Sequence, residues 1–224
     1  MRLSIIIPVL DEAVGIEARL AALTGLRRAG CEVIVADGGS SDDTCARAEP
    51  LCDRLLHSER GRAVQMNAGA AHARAGLLLF LHADTALPSG ALDAVVAATR
   101  GKPLAWGRFD VALDSPRRTL RLVAAMMNLR SRLTGIATGD QALFVTRAAF
   151  DAAGGFAPIA LMEDVDISRR LKKLARPHCL RLRVNTSARR WESRGIWKTI
   201  FLMWRLRLAY FLGASPEALA RRYR

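Results

Sequence analysis

A histidine and an aspartate stand two residues apart where a strongly apolar run ends. The run is Leu77–Leu81, and the sequence HADT follows it directly, which places His82 and Asp84 at its end. A carboxylate there can hold Mg²⁺ or Mn²⁺ against the diphosphate of a ligand, and an imidazole beside it suits Mn²⁺ better than Mg²⁺. A single histidine can equally pack as a ring, and an aspartate can open a turn before Pro88. The spacing favours a binding role for Asp84 and leaves both roles open for His82.

The segment ADGGSSDDT (residues 36–44) offers a carboxylate, glycines and hydroxyls at a turn from a strand into a helix. Gly38 would let a ligand approach the backbone closely, and a helix N-terminus favours an anion near Ser40. Ser40 and Ser41 can instead simply cap that helix. The chain has neither a GxGxxG nor a GxxxxGK[ST] sequence, which argues against a dinucleotide or P-loop site.

Three acids, Glu163, Asp164 and Asp166, open a predicted helix over Glu163–Ala175. Acids in the first turn of a helix often do no more than complement its dipole. One of them becomes a candidate general base if the fold brings it to a ligand-binding cleft.

Apolar runs and helical periodicity alternate around these motifs. In the first half they predict helices between strands at Leu3–Val9, Glu32–Ala36, Arg54–His57 and Leu77–Leu81. In the second half they predict strands at Leu104–Leu113 and Ala142–Thr146, and helices at Arg117–Leu133 and Arg194–Leu212. This alternation is typical of an α/β fold with a mostly parallel sheet flanked by helices. We expect one domain over 1–191, with halves near 1–103 and 104–191, and a basic helical extension over 192–224.

Asp11, Asp37 and Asp84 each stand at or just beyond the end of a predicted strand. The carboxyl ends of parallel strands meet at one edge of an open sheet, where ligands bind. We therefore expect these three carboxylates to line one cleft.

The formal net charge of +13 is concentrated at the end of the chain. From Ile167 onward there are 16 Lys and Arg residues and only two acids, Glu192 and Glu217. Such a segment suits nucleic acid, anionic lipid or a phosphorylated ligand, although a solvated basic surface is the simpler explanation.

The apolar stretch Arg194–Leu212 is interrupted by Lys198, Arg205 and Arg207, which argues against a membrane span. Trp, Phe and Tyr beside basic residues suit a helix lying at a membrane interface, or a core or oligomer-interface helix whose charges reach solvent. Nucleic acid is not expected, because the aromatic residues cluster with aliphatic ones.

Cellular location is predicted from the cysteines and the N-terminus. Cys31, Cys45, Cys52 and Cys179 form no CxxC pair and no zinc-ligand spacing, so reduced thiols in a cytoplasm are expected. The first residues lack a signal-peptide pattern. We expect a cytoplasmic protein, with peripheral contact at the inner face of the membrane as a further expectation.

Five motifs together resemble a known family. They are IIIPVLDE (5–12), ADGGSSDDT (36–44), Asn67-x-Gly69 with LLLFLHADT (77–85), GGF (154–156) and MEDVDISRRL (162–171). Over roughly residues 3–191 the chain resembles the family-2 glycosyltransferases of the GT-A fold, whose central sheet is Rossmann-like. The pattern also resembles a bacterial subgroup associated with arsenosugar biosynthesis.

The resemblance implies roles for individual residues. Asp164 matches the catalytic base of the family. His82-x-Asp84 occupies the position of the DxD motif, where Asp84 would bind Mn²⁺ or Mg²⁺ and His82 replaces the first aspartate. Asp37 would accept a hydrogen bond from uracil. The full predicted substrate-binding set comprises Pro8, Asp11, Glu12, Asp37, Gly38, Ser40, Arg62, Asn67, Asp84, Glu163, Arg190 and Trp191. The last two resemble a remnant of the Arg-Trp motif of processive members, without its upstream glutamine.

The resemblance thus implies an inverting enzyme that moves a sugar from a nucleotide-diphospho-sugar, UDP-linked by preference, to a hydroxyl of a small or lipid-linked acceptor. Two alternatives stay open at this point. A nucleotidyltransferase would need a basic glycine-rich loop where this chain has LDEAVG. A catalytically decayed sugar-nucleotide-binding protein at a membrane would carry His82 as the mark of a lost metal site.

Overall fold

The computed structural model describes residues 2–223, apart from the side chain of Arg190. Within that range the strands are β1 Ser4–Val9, β2 Glu32–Asp37, β3 Arg54–His57, β4 Leu77–Phe80, β5 Thr85–Ala86, β6 Trp106–Asp114, β7 Leu143–Thr146 and β8 His178–Ser187. The α-helices are α1 Ile16–Ala21, α2 Thr24–Arg28, α3 Thr44–Ala48, α4 Arg62–His72, α5 Ala91–Thr99, α6 Arg118–Thr134, α7 Arg147–Ala152, α8 Glu163–Leu174, α9 Arg189–Arg194, α10 Ile196–Phe211 and α11 Pro216–Tyr223. Short 3₁₀ turns cover Glu49–Leu51 and Gly139–Gln141.

These strands form one sheet in the order β3-β2-β1-β4-β7-β6-β8-β5. The pairs β1–β2, β1–β4, β2–β3 and β6–β8 are parallel, whereas β7 runs antiparallel to β4 and β6, and β5 to β8. The expected α/β fold with a mostly parallel sheet flanked by helices is confirmed. Because β1, β2 and β4 are parallel neighbours, the loops that follow them lie along the same edge.

The central strands are buried on both faces, which explains their continuous apolar sequences. Leu77 and Leu79 of β4 belong to the core on one side of the sheet, and Leu78 and Phe80 belong to the core on the other side. Phe156 of the GGF motif packs edge-on against Phe80 with 4.8 Å between the ring centroids. The apolar run thus ends where the sheet leaves its core, directly before His82.

The structure differs from the predicted elements in three details. Strand β8 was not predicted, although residues 180–184 (LRLRV) alternate apolar and basic side chains. The predicted helix Arg194–Leu212 is found as α10, which begins two residues later because Gly195, with a φ of +85° in a region that favours glycine, separates it from α9. Ser40 and Ser41 do not cap α3, because that helix begins only at Thr44 and has no side-chain cap.

Candidate functional site

A cavity of about 540 Å³ opens beyond the carboxyl ends of β1 and β4. Loops after these strands contribute to its lining, as do α4, the 3₁₀ turn and the start of α8. The chain between β8 and the middle of α10 closes another side. Eight of the predicted site residues line it: Pro8, Glu12, Arg62, His82, Asp84, Glu163, Asp164 and Trp191.

Asp164 lies in the cavity wall with each carboxylate oxygen bound by a backbone amide. The N–H of Gly139 donates to Oδ2 at 2.9 Å, and the N–H of Val165 donates to Oδ1 at 2.7 Å. Burial raises the pKa of Asp164, and these two bonds, together with the nearby Arg62 and Arg130, oppose that rise. The result is a rigidly oriented carboxylate with a raised pKa, which is what a general base requires.

Further ionisable groups surround Asp164. Burial and the neighbouring charge of Asp164 raise the pKa of Glu163, whose Oε1 lies 3.6 Å from Nη1 of Arg62. Burial and Asp164 also raise the pKa of Asp140. Oδ1 of Asp140 and Nε of Arg130 are buried and lack a hydrogen-bond partner among the described residues. A ligand with hydroxyl groups could satisfy such an acceptor, because buried polar atoms are normally bonded.

The turn that carries Gly139 and Asp140 was missed by the sequence analysis. It lies between α6 and β7, and its own capping box joins the side chains and backbones of Thr138 and Gln141. The compact polar sequence TGDQ between two predicted elements was the available signal.

Asp84 and Glu12 both line the cavity, and their charges interact. Burial raises the pKa of Glu12, and the charge of Asp84 raises it further, while Arg189 lowers it. Oδ1 of Asp84 accepts weak hydrogen bonds from the hydroxyls of Thr85 at 3.3 Å and Thr186 at 3.4 Å. Two carboxylates near each other in a shared cavity suit a divalent cation, since oxygen ligands are those that Mg²⁺ and Mn²⁺ prefer.

His82 lies directly against the 3₁₀ turn. A Cβ placed on Gly139 would come within 2.4 Å of its Nε2, so a larger residue here would require the imidazole or the turn to move. The ring also borders the cavity next to Asp84. This contact supports the packing role of His82, and its role as a metal ligand stays a prediction.

Asp11 and Asp37 tie the first two loops together and are not among the residues that line the cavity. The carboxylate of Asp37 accepts bonds from the backbone of Gly39 and from the backbone and hydroxyl of Ser40. Ser40 in turn accepts from the N–H of Asp11 at 2.9 Å, and Oδ1 of Asp11 accepts from the N–H of Ser41. Ser40 is therefore a bridge between these loops.

Three ligand-type side chains meet behind that bridge. Asp37, Cys45 and His57 place one ligand atom each within 4.8 Å of one another. Burial and then the charge of Asp37 raise the pKa of the Cys45 thiol to about 11. Although burial alone would raise the pKa of Asp37, hydrogen bonds from Ser40, Gly39 and Cys45 lower it. We interpret Cys45 as a neutral thiol that donates to a charged Asp37.

Two predicted residues of the first half have structural partners. Asn67 holds the GGF turn, since its amide donates to the carbonyl of Phe156 at 2.8 Å and accepts from the N–H of the same residue at 2.9 Å. Gly38 packs against Gln65, whose side chain lies 3.0 Å from where a Cβ would stand. Gln65 donates to the carbonyls of Val9 and Ala36, so this unpredicted residue ties α4 to the ends of β1 and β2.

The cavity wall formed by the end of the chain is basic. Trp191 lines it, whereas the side chain of Arg190 lies outside the described residues. The arginines among the lining residues are Arg62, Arg189, Arg194 and Arg207. Such a set suits an anion with several charges, for example a diphosphate.

Solved structures with the same fold include several glycosyltransferases. TarS from S. aureus in complex with UDP-GlcNAc is 17% identical with a TM-score of 0.69, over 84% of this chain and 58% of that one. The mannosyltransferase PcManGT from Pyrobaculum calidifontis, in complex with GDP-Man and Mn²⁺, is 23% identical with a TM-score of 0.63, over 99% and 64%. Glucosyl-3-phosphoglycerate synthase from Mycobacterium tuberculosis, in complex with Mn²⁺, UDP and phosphoglyceric acid, is 16% identical with a TM-score of 0.61, over 82% and 69%. At these identities the likeness shows the fold alone.

The chain spans 61% of the length of another TarS structure that it matches. A comparison with curated proteins finds no match. The family model of glycosyl transferase family 2, by contrast, matches residues 4–157, which include strands β1 to β7 and nine of the residues that line the cavity. That match covers well over half of the chain, and the chain therefore belongs to glycosyl transferase family 2.

Proposed function

We propose that this protein is an inverting glycosyltransferase that moves a sugar from a UDP-sugar to an acceptor hydroxyl, with Asp164 as general base. The observation that carries the proposal is the oriented, desolvated carboxylate of Asp164 in a cavity shared with Asp84 and several arginines. Related folds bind UDP-GlcNAc, UDP or GDP-Man, which supports a nucleoside-diphosphate sugar as donor.

In the proposed reaction, Asp164 accepts the proton of the acceptor hydroxyl. The acceptor oxygen forms a bond to the anomeric carbon while the bond from that carbon to the β-phosphate oxygen breaks, so the configuration inverts. The nucleoside diphosphate leaves with the electron pair. The two hydrogen bonds from backbone N–H groups to Asp164 fix the direction of its lone pairs. They thereby reduce the entropy cost of reaching the transition state.

The leaving diphosphate gains negative charge as it departs. Arg62 and Arg189 line the same cavity as Asp84. Both guanidinium groups can neutralise this charge in a partly desolvated site. Glu163 holds Arg62 at 3.6 Å and therefore acts as its positioning partner.

Asp84 and Glu12 would hold a divalent ion, and His82 lines the same cavity. Their oxygen and nitrogen donors fit Mn²⁺ or Mg²⁺, and two related structures contain Mn²⁺ with a nucleotide or nucleotide sugar. When bound, such an ion would supply Lewis-acid stabilisation of the diphosphate.

A hydroxyl on a small or a lipid-linked molecule is expected, with peripheral contact of the protein at the inner face of the cytoplasmic membrane. No helix among residues 2–223 is long and apolar enough to cross a membrane. The arsenosugar-associated subgroup stays a prediction.

A thermal-shift screen tests the donor. UDP, GDP and their sugars would be added with and without Mn²⁺, and a ligand present at 100 times its Kd should stabilise the folded state by about 2.7 kcal/mol. A selective, Mn²⁺-enhanced shift with one nucleotide, followed by release of that nucleoside diphosphate from its sugar, is the expected result. No shift with any nucleotide would overturn the proposal.

A further inference from the structure

Helix α10 carries a continuous apolar ridge on its outer side. The ridge consists of Trp197, Phe201, Trp204, Leu208 and Phe211, which follow the spacing i, i+4, i+7, i+11 and i+14 of one helix face. Each of these side chains is between 60% and 75% exposed. The ridge is about 21 Å long at 1.5 Å per residue. Exposed apolar surface of this extent marks an interaction site.

Basic residues flank the ridge on both sides. At 100° per residue, Lys198 and Arg205 stand on one flank and Arg207 on the other. At the far end, the guanidinium of Arg169 lies 5.4 Å from the ring centroid of Phe211. No residue of α10 is acidic. The charged residues of α10 beside the ridge are therefore all basic.

We propose that this ridge is a docking face for an anionic lipid bilayer. Aromatic side chains favour the boundary between headgroups and acyl chains, and each nearby Lys or Arg adds attraction to anionic headgroups. A helix of this kind lies in the interface plane with its apolar face inserted. The charge pattern disfavours a second copy of the chain as occupant, because a symmetric contact through the ridge would bring Lys198 and Arg205 close to their own copies with no acid on α10 to compensate.

The opposite face of the same helix belongs to the candidate active site. Thr199 and Leu206 are buried against the protein, and both line the cavity together with Met203. Bilayer contact through the ridge would thus place the cavity about one helix diameter, roughly 10 Å, from the headgroups. The docking inference rests on the proposed function and deepens it. An acceptor hydroxyl carried at a membrane surface would be within reach of the cavity.

Helix α6 provides a matched control surface. Its exposed residues Leu122, Met126, Leu129 and Leu133 also form a ridge, but this ridge contains no aromatic side chain. Polar substitutions in the α6 ridge therefore remove a similar exposed apolar area and leave the aromatic side chains of α10 in place.

Co-sedimentation with vesicles tests the proposal on the full chain. Vesicles of phosphatidylcholine with about 30% phosphatidylglycerol should bind the protein, and pure phosphatidylcholine should bind it at least tenfold more weakly. The double variant Trp197→Ser/Trp204→Ser should lose about tenfold or more of the binding, and Leu122→Ser/Leu129→Ser should keep it. Equal loss in both variants, or equal binding to both vesicle types, would overturn the assignment.

A charge variant keeps the test independent of packing. Lys198→Glu/Arg205→Glu changes two exposed side chains and should abolish binding to the anionic vesicles, whereas Arg28→Glu/Arg100→Glu, with the same change in charge elsewhere, should not. Light scattering without lipid should give a monomer, and a dimer that the tryptophan variant dissolves would refute the bilayer as occupant. Asp164→Asn should bind vesicles like the wild type, so failure of catalysis and failure of docking are read separately.

Discussion

The backbone N–H of Gly139 donates a 2.9 Å hydrogen bond to Oδ2 of Asp164 across 25 residues of sequence. The same glycine has room only for a hydrogen beside the imidazole of His82. One residue therefore connects the candidate base with the histidine that replaces an expected metal ligand. A displacement of this turn would alter both the hydrogen bond to Asp164 and the packing against His82.

Gly139→Ala should lower kcat while leaving the fold intact. Its Cβ would meet Nε2 of His82 at 2.4 Å, so the imidazole or the turn must move, and a shift of the turn would weaken its bond to Asp164. Loss of a hydrogen bond to a charged group costs about 1.5–3 kcal/mol, which corresponds to about 10- to 100-fold in rate. His82→Ala restores room, so Gly139→Ala should lower the rate less in the His82→Ala background than in the wild type. An equal loss of rate in both backgrounds would mean that the steric account is incorrect.

Asp164→Asn should abolish sugar transfer yet preserve donor binding. An amide cannot accept the acceptor proton, and removing a general base costs about 10²- to 10⁴-fold in rate. Calorimetric titration with UDP should give a Kd close to that of the wild type. Asp166→Asn, two residues further along α8 and paired with Arg170, is the matched control and should remain active. Full activity of the Asp164 variant would remove it from the mechanism.

Asp84→Ala should weaken UDP binding in the presence of Mn²⁺ but not in its absence. The carboxylate is the oxygen donor that the proposed metal site depends on. Asp93→Ala, an exposed acid on α5, serves as the control. His82→Ala decides the role of the imidazole: a reduced Mn²⁺ dependence assigns it as a ligand, and an unchanged dependence assigns it to packing against Gly139. Identical UDP affinity with and without Mn²⁺ in the wild type would contradict the metal role of Asp84.

The rate of sugar transfer should fall as the pH drops through a pKa that lies above the usual value for an aspartate. Burial raises the pKa of Asp164, and the base works only when it is ionised, so activity is present above that pKa and is lost as pH falls through it. The groups that face it are Arg62, Arg130, Asp140 and Glu163, with two backbone amides.

Substitution of these neighbours should move the acidic limb in opposite directions. Arg62→Met removes a cation that lowers the pKa of Asp164, so the limb should move to higher pH. Asp140→Asn removes a neighbouring negative charge, so the limb should move to lower pH. kcat is measured at saturating donor between about pH 5 and pH 9. A shift of both variants in the same direction would exclude Asp164 as the titrating group.

Gly107→Ala should destabilise the fold strongly. A Cβ there would lie 2.2 Å from the backbone carbonyl of His178 on β8 and 2.5 Å from Phe144 on β7, and a backbone atom cannot move aside cheaply. We expect a loss of about 3 kcal/mol or more in the free energy of unfolding, or about 6–12 °C in Tm. Gly76→Ala, which meets no atom within 4 Å, should change Tm by little. Comparable melting of the two variants would mean that β8 is not packed against β6 as described.

The first half of the fold could be predicted because its signals are local. Each buried parallel strand is a continuous apolar run, and its end is marked by a polar turn such as the one at Asp37 or at Asp84. Strand β8 is different, because its alternating Leu and Arg side chains lie in an already basic segment. There the pattern indicates a charged surface rather than a strand. Yet β8 positions the predicted metal residue, since Thr186 bonds to Thr85 at 2.9 Å and reaches Asp84.

The candidate site was only partly predictable because several of its contacts join distant residues. The sequence identifies Asp164 as an acid at a helix start, but its orientation depends on Gly139, and that glycine is required because of His82. Gln65 likewise gains its importance only when α4 packs near the ends of both β1 and β2. Contacts of this kind join residues that are far apart in the sequence, so local residue spacing does not predict them.

Helix α10 has one face in the cavity wall and the other in the apolar ridge, and both faces belong to one rigid body of 16 residues. A donor or acceptor that shifts the helix through Met203 or Leu206 would also shift the ridge. Thermodynamic reciprocity then requires a bilayer on the ridge to change the affinity for that ligand by the same factor by which the ligand changes the affinity for the bilayer. The helix would thereby couple substrate occupancy to residence at the lipid surface.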